Sequence, residues 1–234
     1  MKNVELNFLG GKQSYILEAK NAIDPDLCSE LIGECNKYYK DLFSPGPTIG
    51  GINPFVKSSM DFNFSSYALQ ELGINSMIFA NAESTINQAL FGCIAYYQKT
   101  YNELWHWPGI TDTGFRLQHY GTNWGHYRQH VDGTPWSSPN PLSGSVGKRV
   151  LAGIVYLNDV EVGGETYFPI YEQSVKPRAG SIAIFPAHWT HPHQGNPPIS
   201  GDKWMISTFY LCSIQEDPEV KDDAPEEKAK KESK

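Results

Sequence analysis

His130 and Asp132 form an H-x-D pair, and three histidines, His188, His191 and His193, follow downstream, ahead of Lys203. On a strand, residues two apart point to the same side, so this pair would offer one imidazole nitrogen and one carboxylate oxygen to a single ion. Two neutral imidazoles and a carboxylate on one face suit non-haem Fe(II) and leave coordination positions open. A lysine at such an offset could hold the far carboxylate of an organic acid whose other end sits on the metal. An open Fe(II) site of this kind implies oxygen chemistry. Alone, H-x-D is a weak signal, since a surface His and Asp near a turn would read the same. The stretch SIAIFPAHWTHPHQGNPPISGDKW strengthens it with three histidines, a Pro/Gly turn and a lysine opening a strand. His191 and His193 share parity and would face one side of an extended chain. His126, four residues before the pair, is expected to lie outside the ligand set.

The elements that must position these residues are legible as a change of period. Residues 23–43 read as a helix capped by Asp24, with Pro25 at its first position. Leu27, Leu31, Cys35 and Tyr38 or Tyr39 recur on one face. Residues 44–56 read as a Pro/Gly loop. A second helix is expected over 83–104, with Ile86, Leu90, Ile94, Tyr97 and Tyr101 as its buried stripe. Edge strands are expected near Tyr15–Glu18 and Asp61–Phe64. After Gly114 the pattern turns strand-like: FRLQHYG (115–121), VLAGIVYLND (150–159), ETYFP (165–169), SIAIFP (181–186) and KWMISTFYL (203–211). Short strands separated by glycine and proline predict a sandwich or jelly roll. The polar stretch from Gly133 to Gly147 reads as a loop or lid directly after the metal pair.

Composition narrows the function classes. At 234 residues the chain suits one large domain or two small ones. A net charge of −7 argues against nucleic acid as the main partner, because phosphate binding wants a basic surface. Cys28, Cys35, Cys93 and Cys212 include no C-x-x-C pair, which argues against a cysteine zinc site and predicts reduced thiols. The N-terminus MKNVELNFLGGK lacks the apolar run of a signal peptide. No segment reaches the roughly 18 consecutive apolar residues of a membrane span. A cytoplasmic setting without membrane contact is expected. The charged stretch 214–234 is expected to be a disordered tail.

From Tyr120 through Phe209 the sequence resembles the 2-oxoglutarate/Fe(II)-dependent oxygenases, and among them the prolyl 4-hydroxylase-like branch. YGTNWGHYRQHVDG (120–133) resembles that branch's Y-x(6)-Y-x-x-H-x-D stretch. GIVYLNDVEVGGETYFP (153–169) resembles its YLN-turn-GGET-x-F-P hairpin, and GSIAIFP (180–186) its G-x-x-x-x-F-P strand. HQGNPPISGDKW (193–204) resembles H-x-G-x-P-V-x-x-G-x-K-W, with Pro198 where valine is common. Four segments in order make the resemblance specific, although it covers only about the C-terminal 100 residues. The 133–149 insertion departs from the pattern.

The resemblance implies an α+β, β-rich fold: a double-stranded β-helix (jelly roll) core with supporting N-terminal helices. It implies one oxygenase domain over 1–213, with helical support in 1–112 and the catalytic β-helix in 113–213. It selects His193 as the distal ligand, so that His130, Asp132 and His193 hold Fe(II). Lys203 pairs with the C5 carboxylate of 2-oxoglutarate, a point charge where some relatives use the bidentate fork of arginine. Tyr120 and Tyr156 align with tyrosines near the cosubstrate, where a phenol can donate to its carboxylate. Tyr127, Trp136, His191 and Trp204 are candidates for substrate contact or for supporting the ligands. The Gly163–Thr166 stretch is expected to be a structural turn.

The activity implied is hydroxylation of an unactivated C–H bond with release of succinate and carbon dioxide. It uses Fe(II), 2-oxoglutarate and O2, with ascorbate as a reductant. A ligating aspartate, rather than the small residue of related halogenases, favours hydroxylation. Branch resemblance points to a peptidyl proline. A free amino acid or other small metabolite is the alternative substrate. Two further readings are a non-catalytic metal-binding β-helix module and a zinc hydrolase; the second leaves Lys203 without a purpose.

Overall fold

The computed structural model describes residues 4–48, 50–102, 110–133, 138–139 and 146–213. Its elements in chain order are β1 (Glu5–Phe8), β2 (Leu17–Lys20), α1 (Pro25–Tyr38), β3 (Ser44–Pro45), β4 (Lys57–Ser58), β5 (Met60–Asn63), α2 (Ser66–Glu71) and α3 (Met77–Thr100). There follow β6 (Ile110–Asp112), β7 (Arg116–Tyr120), β8 (His126–His130), β9 (Ser138–Pro139), β10 (Val146–Tyr156), β11 (Thr166–Phe168), β12 (Gln173–Val175), β13 (Ile182–Pro186), β14 (His193–Gly195) and β15 (Lys203–Ser213).

Both long helices begin where a side chain can satisfy their orphan amides. The Asp24 carboxylate accepts from the Asp26 amide at 3.1 Å, and Pro25 occupies the first turn. Cys28, Leu31 and Cys35 form the buried stripe of α1. Its last expected turn is absent: a short 3-10 turn over Lys40–Leu42 and then β3 take the residues up to Pro45. Ser76 caps α3 by accepting from the Phe79 amide, so the helix starts before the Glu83 expected from periodicity and ends at Thr100. Phe79, Ala82, Ile86, Leu90 and Ile94 bury its face. Among the described residues, no helix is long and apolar enough to cross a membrane.

The strands form two sheets. The larger runs β1-β2-β13-β10-β15-β7-β5-β3, with β6 on β15 and β9 on β10; the smaller runs β12-β11-β14-β8-β4. Every named pairing is antiparallel. Strands β7, β8 and β10–β15 alternate between the two sheets, except that β11 and β12 form a hairpin within the smaller one, and close a double-stranded β-helix. The N-terminal half is more than a helical support: β1, β2, β3 and β5 extend the larger sheet and β4 the smaller.

The continuous apolar run SIAIFP is explained by burial on both faces. Ile182 and Ile184 pack into the core shared with the helices, whereas Ala183 and Phe185 face the core between the sheets. The same alternation sends Leu151 and Val155 of β10 toward the helices and Ala152, Ile154 and Tyr156 inward. At Gly153 a Cβ would lie 3.4 Å from Leu90 Cδ2, which is how closely α3 lies against β10. Phe168 from the small sheet meets Phe185 from the large one edge-on at 4.9 Å, joining the two layers. Burial of these rings is the main source of adhesion between the layers.

Candidate active site

The metal candidates come together because two strands of the small sheet are neighbours. β8 and β14 are antiparallel, and His193 stands directly opposite His130. Asp132 lies just beyond the end of β8, where the Gly133 amide bonds to the Ala187 carbonyl and turns the chain inward. The carboxylate therefore sits between the rings: its Oδ1 is 3.4 Å from His130 Nε2 and its Oδ2 is 3.4 Å from His193 Nε2. One donor atom from each of the three lies within 4.8 Å of the others.

Both imidazoles are held the same way. His130 Nδ1 is 2.8 Å from the Arg128 carbonyl, and His193 Nδ1 is 3.0 Å from the His191 carbonyl. A carbonyl can only accept, so each Nδ1 carries the proton and each Nε2 presents a lone pair into the site. Burial lowers the His193 pKa, with Asp132 opposing, which favours the neutral ligating form. Burial works against ionised Asp132, but His193, His130 and Arg149 together hold its carboxyl below the usual range. A neutral His193 and an ionised Asp132 are the forms a divalent ion needs. Tyr127 stacks on His130 with ring centroids 3.5 Å apart and fixes the ring plane.

Lys203 lies on the other side of the same cavity. As the first residue of β15 it pairs with Tyr120 of β7. Its side chain is buried, 1% exposed. Nζ donates to the Gly164 carbonyl at 3.1 Å and lies 4.4 Å from the centre of the Tyr120 ring. No ion pair to Lys203 exists among the described residues. Burial pushes the ammonium down from its ordinary 10.5 to about 8, with Glu165 opposing. A buried, unpaired ammonium is costly and is a natural receptor for a carboxylate. The Gly163–Gly164 turn delivers that carbonyl acceptor. Both residues have positive φ, and a Cβ on Gly163 would come within 2.3 Å of the Pro197 carbonyl oxygen.

The remaining candidates divide by strand parity. Tyr120 lines the cavity, and its hydroxyl donates to Gln118 Oε1 at 3.2 Å. Tyr156 is fully buried and donates to Thr166 Oγ1 at 2.7 Å; Thr166, rather than Tyr156, lines the cavity. Trp204, a candidate for substrate contact, faces away. Lys203 and Met205 point into the cavity, so Trp204 between them points into the helical core, where it stacks on His119 at 4.3 Å. His191 does not reach the metal donors. Its Nε2 bonds to the Ser14 carbonyl at 2.8 Å, its Nδ1 to Thr190 at 2.9 Å, and its ring stacks on Tyr171. His126 Nδ1 bonds to the Trp124 carbonyl at 2.9 Å, outside the triad. Trp136 and most of the 133–149 stretch lie outside the described residues, as does the 214–234 tail.

The contrast between His191 and His193 yields a test. His191→Ala removes one ring packed against the N-terminal segment and should cost about 1–2 kcal/mol of stability while leaving iron affinity within about tenfold. His193→Ala should abolish iron binding, measured by equilibrium dialysis. The opposite ranking would mean that the wrong histidine has been assigned.

Sequence patterns missed several residues of the cavity. Lys57 is buried and pairs with buried Asp61 at 2.7 Å; Ser59 donates to Asp61 Oδ1 at 2.7 Å and Gln118 to its Oδ2 at 3.3 Å. Arg149 Cζ stands 3.9 Å from the Phe209 ring centre, and one guanidinium nitrogen donates to the Asp132 carbonyl at 3.0 Å. KSSMD and GKRV carry no motif, and the contacts span the length of the chain. The only available signal was that Arg149 immediately precedes the apolar run VLAGIVYLND. The cavity as a whole has a volume of about 710 Å³; the triad and Tyr127 line it from the smaller sheet, Tyr120 and Lys203 from the larger.

Two imidazoles, one carboxylate and a buried cation thus converge in one cavity of a double-stranded β-helix, a donor set that suits a non-haem iron beside a cation that suits an organic acid. Residues 115–211 match the family model of the 2OG-Fe(II) oxygenase superfamily. The family implies Fe(II), 2-oxoglutarate and O2. A putative prolyl 4-hydroxylase of Acanthamoeba polyphaga mimivirus is 35% identical over 72 residues, covering 27% of this chain and 30% of that protein. The chain thus spans less than a third of that relative's length. In fold, it is similar to the viral collagen prolyl hydroxylase of Paramecium Bursaria Chlorella virus-1 in its 2OG complex, with TM-score 0.60 and 17% identity over 87% of this chain and 98% of that one. It is also similar to a Trichoplax adhaerens prolyl hydroxylase in complex with a hypoxia inducible factor oxygen degradation domain peptide fragment. There the TM-score is 0.61 at 15% identity, covering 86% and 85%.

Proposed function

We propose that the chain is an Fe(II)- and 2-oxoglutarate-dependent dioxygenase that hydroxylates a peptidyl proline, with residues 113–213 as its catalytic part. The observation that carries this reading is the buried Lys203 ammonium, unpaired among the described residues, in the same cavity as His130, Asp132 and His193. A metal site alone would not need it. A cosubstrate with a carboxylate at each end, one toward the metal and one on Lys203, does. The peptide assignment is supported by the prolyl hydroxylases among the similar proteins.

His130, Asp132 and His193 would hold the iron, which when bound supplies oxygen activation coupled to decarboxylation of the cosubstrate. Each residue has a separable task. The Arg128 and His191 carbonyls keep both Nε2 atoms unprotonated. Asp132 brings the one negative charge among the three donors. Lys203, its ammonium held by the Gly164 carbonyl, would receive the far carboxylate, and the Tyr120 ring shields the ammonium from water.

The test is anaerobic addition of Fe(II) and 2-oxoglutarate, followed by oxygen and an assay for succinate. A visible charge-transfer band, then succinate whose release is stimulated by proline peptides that gain one oxygen, is the expected result. Stimulation by free amino acids but by no peptide would move the substrate to the small-molecule class. Absence of the band in metal-loaded protein would sink the oxygenase reading.

A further inference from the structure

The chain is acidic overall, but its cavity is not. The charged residues lining it are Lys57, Arg116, Arg149 and Lys203 against Glu71 and Asp132, the reverse of the net −7 of the whole. Half of these charges already have an occupation. Lys57 is paired with Asp61. In the function proposed above, Asp132 serves the metal and Lys203 the cosubstrate. Glu71, which is exposed, and two guanidiniums are left over. Arg116 is 3.9 Å from Asp61 Oδ2, the same oxygen that Lys57 already holds at 2.7 Å. Arg149 spends one nitrogen on the Asp132 backbone carbonyl, and its Nε is buried with no hydrogen-bond partner among the described residues.

Position matters as much as charge. Arg116, Ser207, Phe209 and Arg149 lie on three adjacent strands, β7, β15 and β10, and all line the cavity. Arg149 reaches the backbone of a metal-ligand candidate, so whatever it binds lies close to the reacting carbon. Its guanidinium rests on the Phe209 ring, which holds the fork in place and excludes water from one face. Two guanidiniums, one at 3.9 Å from a carboxylate oxygen that Lys57 already holds and one with a buried Nε that has no partner among the described residues, repel a cation and favour an anion.

We infer that the preferred substrate carries a carboxylate within a residue or two of the hydroxylated proline, received by Arg149 and Arg116. This rests on the oxygenase reading for its reacting position. The carboxylate can come from an acidic side chain beside the proline or from a C-terminal proline's own carboxylate; the recognising chemistry is the same, and the test separates the sources.

The test uses the full chain with Fe(II) and 2-oxoglutarate under anaerobic conditions and labelled peptides in matched pairs. One pair has blocked ends and differs only in Asp or Asn next to the proline; the other ends in proline as the free acid or the amide. Affinity is read by fluorescence anisotropy, and oxygen is then admitted to score hydroxylation by mass. The charged member of at least one pair should bind about tenfold more tightly, the effect of one charge-assisted pair. The charged pair that shows the preference names the source. Arg149→Gln and Arg116→Gln should each bring that ratio toward one, while Arg149→Lys should retain part of it. Because the ratio is taken within each variant, general damage cancels. Equal affinities in both pairs, or a ratio unmoved by both glutamine variants, would overturn the inference. Hydroxylation without charge preference would overturn it and leave the oxygenase standing. Charge-selective binding without hydroxylation would sustain it and sink the peptidyl hydroxylase reading.

Discussion

Asp132→Ala is expected to abolish turnover, to below about a thousandth of the wild-type rate, a loss of about 4 kcal/mol or more in transition-state stabilisation. The reason is that Asp132 does what neither histidine can. It is the one anionic donor of the three, and it bridges the two rings at 3.4 Å on either side. Alanine leaves two neutral nitrogens and a gap that water or a small anion would fill. Iron affinity should fall in parallel, and the charge-transfer band with 2-oxoglutarate should vanish at micromolar metal. The fold should survive, because the Asp132 backbone contacts (the Arg149 bond to its carbonyl and the neighbouring Gly133 amide bond) do not use the carboxylate. Full succinate production by a folded Asp132→Ala protein would remove this residue from the site.

The second large effect belongs to Lys203. Lys203→Met should raise the 2-oxoglutarate requirement about a hundredfold, the order of magnitude for losing one partner of a buried charge pair, with little change in iron affinity. The same substitution should stabilise the metal-free, cosubstrate-free protein at neutral pH. The sign follows from the direction of the shift. The ammonium titrates near its ordinary 10.5 when unfolded and at about 8 in the fold. Below pH 8 both states are charged and the folded one bears the cost of burial, about 3 kcal/mol. Between pH 8 and 10.5 the unfolded chain binds the proton that the fold has released, so stability rises with pH across that window. The advantage of methionine should therefore shrink above pH 8. In wild type, 2-oxoglutarate affinity should weaken as pH rises through the same value, because the neutral amine attracts no carboxylate. Calorimetric melting at several pH values and a cosubstrate titration check both parts. A methionine variant that melts below wild type at pH 7 would show that the ammonium is compensated by a partner.

Legibility in the sequence followed how local each cause was. The start of α1 was readable because Asp24 and Pro25 act within one turn. The start of α3 was placed late: Met77, Ile78 and Phe79 look like any apolar run, and the cap at Ser76 is a single hydroxyl. Of the inner strands, β10, β13 and β15 stood out through burial on both faces, whereas β12 and β14, at three residues each, are too short to show a period. Tyr156 and Trp204 show the limit of alignment by residue type. Both aromatic side chains are where strand alternation puts them, and for Trp204 that is the far side from Lys203.

By itself the sequence determined the residue types of the site, their order and the class of fold. H-x-D, a distal histidine and a strand-opening lysine are chemical choices, and short-range pattern suffices to read them. Residue parity leaves His191 and His193 equal, and resemblance selects His193; the tertiary structure gives the physical reason, because β14 lies beside β8 in a register that sets His193 against His130. Tertiary structure alone also revealed that Lys203 is unpaired among the described residues, and that Lys57 and Arg149, distant from each other in the chain's order, share its cavity. Charge has a long reach in a water-poor cavity but leaves no periodic trace along a chain, so the polarity of the cavity becomes visible only once the strands have closed around it.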